Sequence, residues 1–233
     1  MGRLYGTTRE ELSFPRQLED YSIVIGWAAG RPDIDEHRIL AWGTSFAGMY
    51  IVELAASDTR LAGAIGQVPL VDRLAAAMMA SPGRGLQLLA AALRDRLGSV
   101  FGLPPLYLPG AGRPGELAIG TTEDALYGEK LMTPKDSTEW RNRVAARSLL
   151  SFSWRRPVRR AASVRCPLLL VVAEQDSMAP VGPAIRLTEK APLGELYRSR
   201  GGHYDVYQGG MSFDEVLRVE LDFLHRHAKT SAP

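Results

Sequence analysis

Three residues far apart in the chain offer a joint chemistry: Ser45, Asp176 and His203. A serine hydroxyl is a weak nucleophile until a base takes its proton. An imidazole base serves best when an acid fixes its tautomer and orientation. Ser45 stands in Gly43-Thr44-Ser45-Phe46-Ala47-Gly48. Small residues around a serine suit a sharp strand-to-helix turn that lifts the hydroxyl above a sheet edge. The usual spacing is Gly-x-Ser-x-Gly; here Ala47 takes the second glycine position and Gly48 follows it. Asp176 comes in Ala173-Glu174-Gln175-Asp176, and His203 in Gly201-Gly202-His203-Tyr204-Asp205. The order along the chain is therefore Ser, Asp, His. Glu174 and Asp72 stay open as other choices for the acid. Ser45 alone also reads as a small turn residue, and His203 as a loop histidine held by Tyr204 or Asp205.

Elements must bring these residues together. Ser13-Phe14-Pro15 opens a helical pattern with Leu18, Tyr21, Ile25 and Ala28 on one face. The apolar run from Arg38 to Trp42 reads as a buried strand, and Phe46 to Ala56 as a helix. Leu61 to Val68 and Pro167 to Ala173 read as further strands, Pro180 to Lys190 as a helix, and Glu195 to Arg198 as a short strand. Ser212-Phe213-Asp214-Glu215 reads as a capping box. It opens a helix to about His227 that buries Phe213, Val216, Leu217, Leu221 and Leu224. Strands alternating with helices predict a parallel sheet covered on both faces. All three chemical residues then fall at carboxyl ends of strands, where open α/β sheets hold their sites.

Between the two halves the pattern changes. Val71–Ala80 and Leu86–Leu97 read as helices, Gly102–Gly115 as an apolar loop, and Thr138–Leu150 as a further helix, with no convincing strand. Gly110-Ala111-Gly112-Arg113-Pro114-Gly115 matches a dinucleotide fingerprint by letters. Its prolines remove the strand-turn-helix unit such a fingerprint needs, so it reads as a loop. Phe101, Leu103, Leu106, Tyr107 and Leu108 read equally as an acyl pocket or as ordinary packing. The eight arginines from Arg141 to Arg165 read first as a solvated face and second as an anion site. His225 and His227 lie two apart on a helix, which forbids chelation from one face, and His37 has no partner in sequence.

Composition limits the function. With 233 residues, 45% of them apolar, the chain fits one soluble domain carrying an insertion. A net charge of +2 gives no field toward nucleic acid or a membrane surface. The single Cys166 excludes an internal disulfide and a cysteine-rich zinc site. No apolar signal core follows Met1, and Leu168–Ala173 is far too short to span a bilayer, so a cytoplasmic location is expected.

In its motifs the chain resembles the α/β-hydrolases, nearest to the dienelactone-hydrolase-like serine hydrolases and esterases. Residues 15–70 and about 138–226 carry the likeness. The strings are Arg38 to Gly48, Cys166 to Asp176, and Gly202-His203-Tyr204-Asp205-Val206-Tyr207. Dienelactone hydrolase itself uses a cysteine where this chain has Ser45, so its lactone substrate is not implied. The resemblance implies one α/β-hydrolase-like domain over residues 1–233, with 71–150 as a helical lid insertion that selects substrate. It implies that Ser45 attacks an acyl carbonyl, His203 moves the proton, Asp176 orients the imidazole, and the Phe46 N–H forms half of an oxyanion hole. It implies a small-molecule acyl substrate and no cofactor or metal.

The family pattern also has about four strands before the helix near Pro15, where this sequence has fourteen residues. An N-terminally truncated sheet is therefore expected. The Arg38–Trp42 strand would then lie at a bare apolar edge, open to a longer chain or to a second copy in a homodimer. Three functions follow: a serine hydrolase, an acyltransferase using the same triad, and a non-catalytic relative.

Overall fold

The computed structural model describes residues 10–79, 82–135 and 140–228. In chain order its elements begin with α1 (Phe14–Ala29), β1 (Ile39–Thr44), α2 (Gly48–Ser57), β2 (Leu61–Gln67), α3 (Arg73–Met79) and α4 (Pro82–Val100). They continue with β3 (Tyr107–Leu108), α5 (Ala125–Met132), β4 (Val144–Ala145), α6 (Ser148–Phe152), β5 (Leu168–Ala173), α7 (Val181–Lys190), β6 (Gly194–Ser199) and α8 (Phe213–His227). The chain divides into two compact units. One takes Arg16–Ala76 and the chain from Arg155 onward; the other takes the chain up to Pro15 and Ala77–Trp154.

The first unit is the expected α/β-hydrolase-like, mostly parallel sheet. Its four strands lie in the order β1-β2-β5-β6, every neighbouring pair parallel. Successive side chains of a strand point to opposite faces, so a strand buried on both must be apolar throughout. β5 meets this with Leu168, Leu170 and Val172 on one face and Leu169, Val171 and Ala173 on the other, all buried. The first face packs against Ile25 of α1, Ile51, Val52 and Leu54 of α2, and Ala184 and Leu187 of α7. The second packs against Val216 and Phe223 of α8.

The helix α8 sits differently from the sequence expectation. Val216, Glu220 and Phe223 are buried, while Leu217 and Leu221 are about two-fifths exposed. The apolar stripe of this helix is wide enough for two settings, and the observed one takes a glutamate inward. The capping box is also corrected. Ser212 precedes α8, but its hydroxyl donates to the Arg200 carbonyl at 3.0 Å and caps no helix N–H. Burial first and the neighbouring Glu215 carboxylate second push the Tyr197 hydroxyl up to about 12.

In the second unit, α4 and α6 pack together, and the buried Asp95 of α4 accepts the N–H of Leu106 and of Arg147. The N-terminal segment is tied down through Leu12 N–H to Ser148 and Phe14 N–H to Ser151. The helix expected over Thr138–Leu150 is replaced by β4 and the short α6; residues 138 and 139 lie outside the described residues. The N–H groups of Ala145, Ala146 and Arg147 go to Glu10, Leu106 and Asp95, so a local helix cannot claim them. A two-residue antiparallel pair, β3 with β4, therefore stands where no strand was expected.

Candidate active site

The turn after β1 positions Ser45. Its φ is +52°, a left-handed value that costs a non-glycine residue about 1–3 kcal/mol and persists only when its surroundings enforce it. Two glycines make room. A Cβ on Gly43 would lie 2.6 Å from Ile51 Cγ1, and one on Gly48 would lie 2.7 Å from Pro69 Cα. The close approach that the motif assigns to its second glycine thus falls on Gly48, which is why Ala47 is tolerated. The Leu70 N–H donates to the Ser45 carbonyl at 2.9 Å and holds the turn from the β2 side. The Phe46 N–H follows directly, where α2 begins and helix N–H groups favour negative charge.

Asp176 lies in the turn after β5. Its Oδ1 accepts the N–H groups of Met178 and Ala179 at 2.8 and 2.7 Å, which fixes the carboxylate. His203 lies in the turns after β6, started by Gly201 at φ +80° and held by Asp205, which accepts the Gly202 N–H. The three side chains meet. His203 Nδ1 is 2.8 Å from Asp176 Oδ2, and His203 Nε2 is 2.8 Å from Ser45 Oγ. The side chains of His203 and Asp176 are each only 2% exposed, so water does not compete for their bond. The carboxylate takes the N–H of Nδ1, which leaves Nε2 to accept the serine proton. Tyr204 packs edge-on against the imidazole with ring centroids 5.1 Å apart.

The other readings resolve on the same geometry. Glu174 is exposed and 3.9 Å from Arg198. Asp72 caps α3 through the N–H groups of Leu74 and Ala75 and forms a two-pronged pair with Arg156, so neither is the partner of His203. Burial pushes the Cys166 thiol up to about 11, which removes it as a nucleophile at neutral pH. Arg143 and Arg147 pair with Glu10 and Glu11, and Arg156 and Arg160 meet Asp72 and Glu53, as a charged face would. Gly110–Gly115 is a loop closed by the bridge of Ala111 with Gly120. Phe101 and Leu103 are exposed and Leu108 is buried. His37 lies 3.8 Å from Glu36, and His227 lies 3.5 Å from Glu195. Among the described residues no three His, Cys, Asp or Glu side chains converge to hold a metal, and no helix is long and apolar enough to cross a membrane.

The sequence reading missed a row of polar groups on the α8 face of the sheet. Thr44 Oγ1 is 2.7 Å from the Tyr207 hydroxyl and accepts the Gln67 amide at 3.3 Å. Two residues earlier, Trp42 Nε1 donates to Glu220 Oε2 at 3.0 Å, while Glu220 Oε1 is buried without a partner among the described residues. The only signal in sequence was the alternation along β1, which puts Trp42 and Thr44 on one face.

Comparison with known proteins agrees with this fold. No family model matches the chain. It is 35% identical over 221 residues to the quorum-quenching protein AidA of Acinetobacter baumannii, covering 95% of this chain and 72% of that one. It is 29% identical to the polyketide transferase grgF of a Penicillium species, covering 97% of this chain and 75% of that one. The crystal structure of that α/β hydrolase superposes with a TM-score of 0.78 over 96% of this chain and 75% of the other, at 27% identity. A thiohydrolase, apmlB of Arthrinium phaeospermum, is 27% identical, covering 96% of this chain and 76% of its own.

Proposed function

We propose that this chain, which belongs to the α/β-hydrolase family that includes AidA, the polyketide transferases and the thiohydrolases, is a serine hydrolase of small-molecule acyl compounds. The observation that carries the reading is the hydrogen-bonded line from Ser45 Oγ through His203 to Asp176, with the serine at a left-handed turn. Ser45 Oγ attacks the carbonyl carbon of an ester or related acyl bond while its proton passes to His203 Nε2. Asp176 holds the imidazolium that results. The carbonyl oxygen gains the charge, and the Phe46 N–H is one donor to it, typically worth about 3 kcal/mol of barrier. Collapse expels the leaving group, which takes the proton from Nε2 and leaves an acyl-serine. Water, deprotonated by His203, then attacks the acyl carbonyl, and Ser45 Oγ leaves with the proton from Nε2 as the acid is released. The 71–150 segment is the insertion expected to select the substrate, as in dienelactone-hydrolase-like enzymes.

A fluorophosphonate probe tests this directly. We expect stoichiometric labelling of the full chain at Ser45, lost in Ser45→Ala, together with turnover of p-nitrophenyl acetate. An unlabelled, inactive wild-type protein would instead indicate a non-catalytic relative. A second reading, acyl transfer to an acceptor other than water, draws support from the polyketide transferases among the relatives. Product analysis with a thioester donor and excess alcohol separates the two. For a partner we propose a second copy. β1 is an edge strand and its Trp42 is 47% exposed, so pairing of two such edges in a homodimer would satisfy their backbone groups.

A further inference from the structure

Among the described residues, two side-chain hydrogen bonds join the strand end that carries Ser45 to the loop that carries His203. One is the Ser45–His203 hydrogen bond itself. The other lies beside it and uses neither residue: Tyr207, four residues after the histidine, reaches Thr44, the residue before the serine, with 2.7 Å between hydroxyls. Both ends of this second contact are anchored. Thr44 faces Gln67 across the parallel β1–β2 register and accepts its amide N–H. Tyr207 is fixed by its N–H to the Tyr204 carbonyl and by the Gly210 N–H to its own carbonyl. Its ring centroid is 6.3 Å from that of His203 and 6.0 Å from that of Tyr204.

The two contacts differ in what the reaction does to them. Acylation consumes the Ser45–His203 bond, because the serine oxygen no longer carries a proton. The tyrosine–threonine bond survives it. We propose that Tyr207 is a positioning residue, whose bond to Thr44 ties the base loop to the nucleophile strand and keeps the imidazole beside the acyl-serine through deacylation. Burial pushes the phenol up to about 12, so the hydroxyl stays protonated over the working pH range. The inference rests on the hydrolase reading above and assigns a role to a pair of residues outside the triad.

The test is a double-mutant cycle on the full chain with p-nitrophenyl acetate. Tyr207→Phe deletes one oxygen, and Thr44→Val deletes the other hydroxyl at constant shape. Each is expected to lower kcat about three- to ten-fold without raising KM, and to accumulate acyl-enzyme as a larger burst. The double variant should be no slower than either single one, and Thr44→Ser should recover what Thr44→Val loses. Single variants with wild-type kcat would overturn the tether, and so would losses that multiply in the double variant. If Tyr207→Phe fails to fold, Thr44→Val against Thr44→Ser decides the question alone. Wild-type turnover that depends on Ser45, combined with indifferent Tyr207 and Thr44 variants, sinks the tether and leaves the hydrolase reading standing. A wild-type chain without turnover sinks both.

Discussion

Glu220 is a carboxyl group that the fold takes inward and only half satisfies. It is 7% exposed, accepts one hydrogen bond from Trp42, and buries its second oxygen without a partner among the described residues. Burial, opposed only by the Trp42 hydrogen bond, pushes it from the ordinary 4.5 up to about 7. The folded protein therefore holds this proton to near neutrality, whereas the unfolded chain releases it near 4.5. Folding takes up a proton between those values, so the contribution to stability is full below about 4.5, falls as pH rises, and is lost above about 7. That gap is worth about 3 kcal/mol. Glu220→Gln keeps the acceptor for Trp42 and cannot ionise. Its amide carries an unsatisfied N–H at every pH, so that cost cancels when the two proteins are compared across pH. Thermal unfolding should be followed by circular dichroism from pH 4 to 8.5 on both proteins. The difference in midpoint, variant minus wild type, should move upward by about 6–10 °C between pH 4 and pH 8. Two curves that run parallel over the whole range would refute the argument. A difference that shrinks with rising pH would refute it more sharply, because the sign would be wrong.

Other outcomes follow from single contacts. Asp176→Asn should keep the fold and lower kcat by about 10³–10⁴, because the amide no longer fixes the proton on Nδ1; steady-state ester hydrolysis reads this. Gly48→Ala drives a methyl group onto Pro69 and should cost about 1–3 kcal/mol by denaturant unfolding and slow fluorophosphonate labelling, while Ala47→Gly should be labelled at the wild-type rate. Burial pushes Asp72 up, but the Arg156 guanidinium with the Ala75 and Leu74 N–H groups outweighs it and holds the carboxyl below its ordinary range. Its stabilisation is thus present above pH 3.8 and lost as pH falls through the lowered value, so Asp72→Asn should destabilise at pH 7, and that penalty should shrink as pH falls below 3.8.

The local rules written in this chain were legible without coordinates. An unbroken apolar run such as Leu168–Ala173 has one comfortable home, a strand buried on both faces, and strand-helix alternation then orders the sheet. Small residues on both sides of Ser45, with an aspartate and a histidine after later strands, marked three positions at one sheet edge. Other features depended on partners distant in sequence. The segment from Val144 to Ser148 had helical spacing, yet its N–H groups found carbonyl and carboxylate acceptors at Glu10, Leu106 and Asp95. α8 had two possible apolar faces, and packing against the sheet chose the one that turns Glu220 inward. Which glycine must be glycine was settled by Pro69, a residue outside the motif. Residue types and spacing fixed which groups could react. Only the tertiary structure decided which acid reaches His203 at 2.8 Å, and that Tyr207 and Thr44 join the two sides of the site, because those distances come from chain segments that sequence keeps far apart.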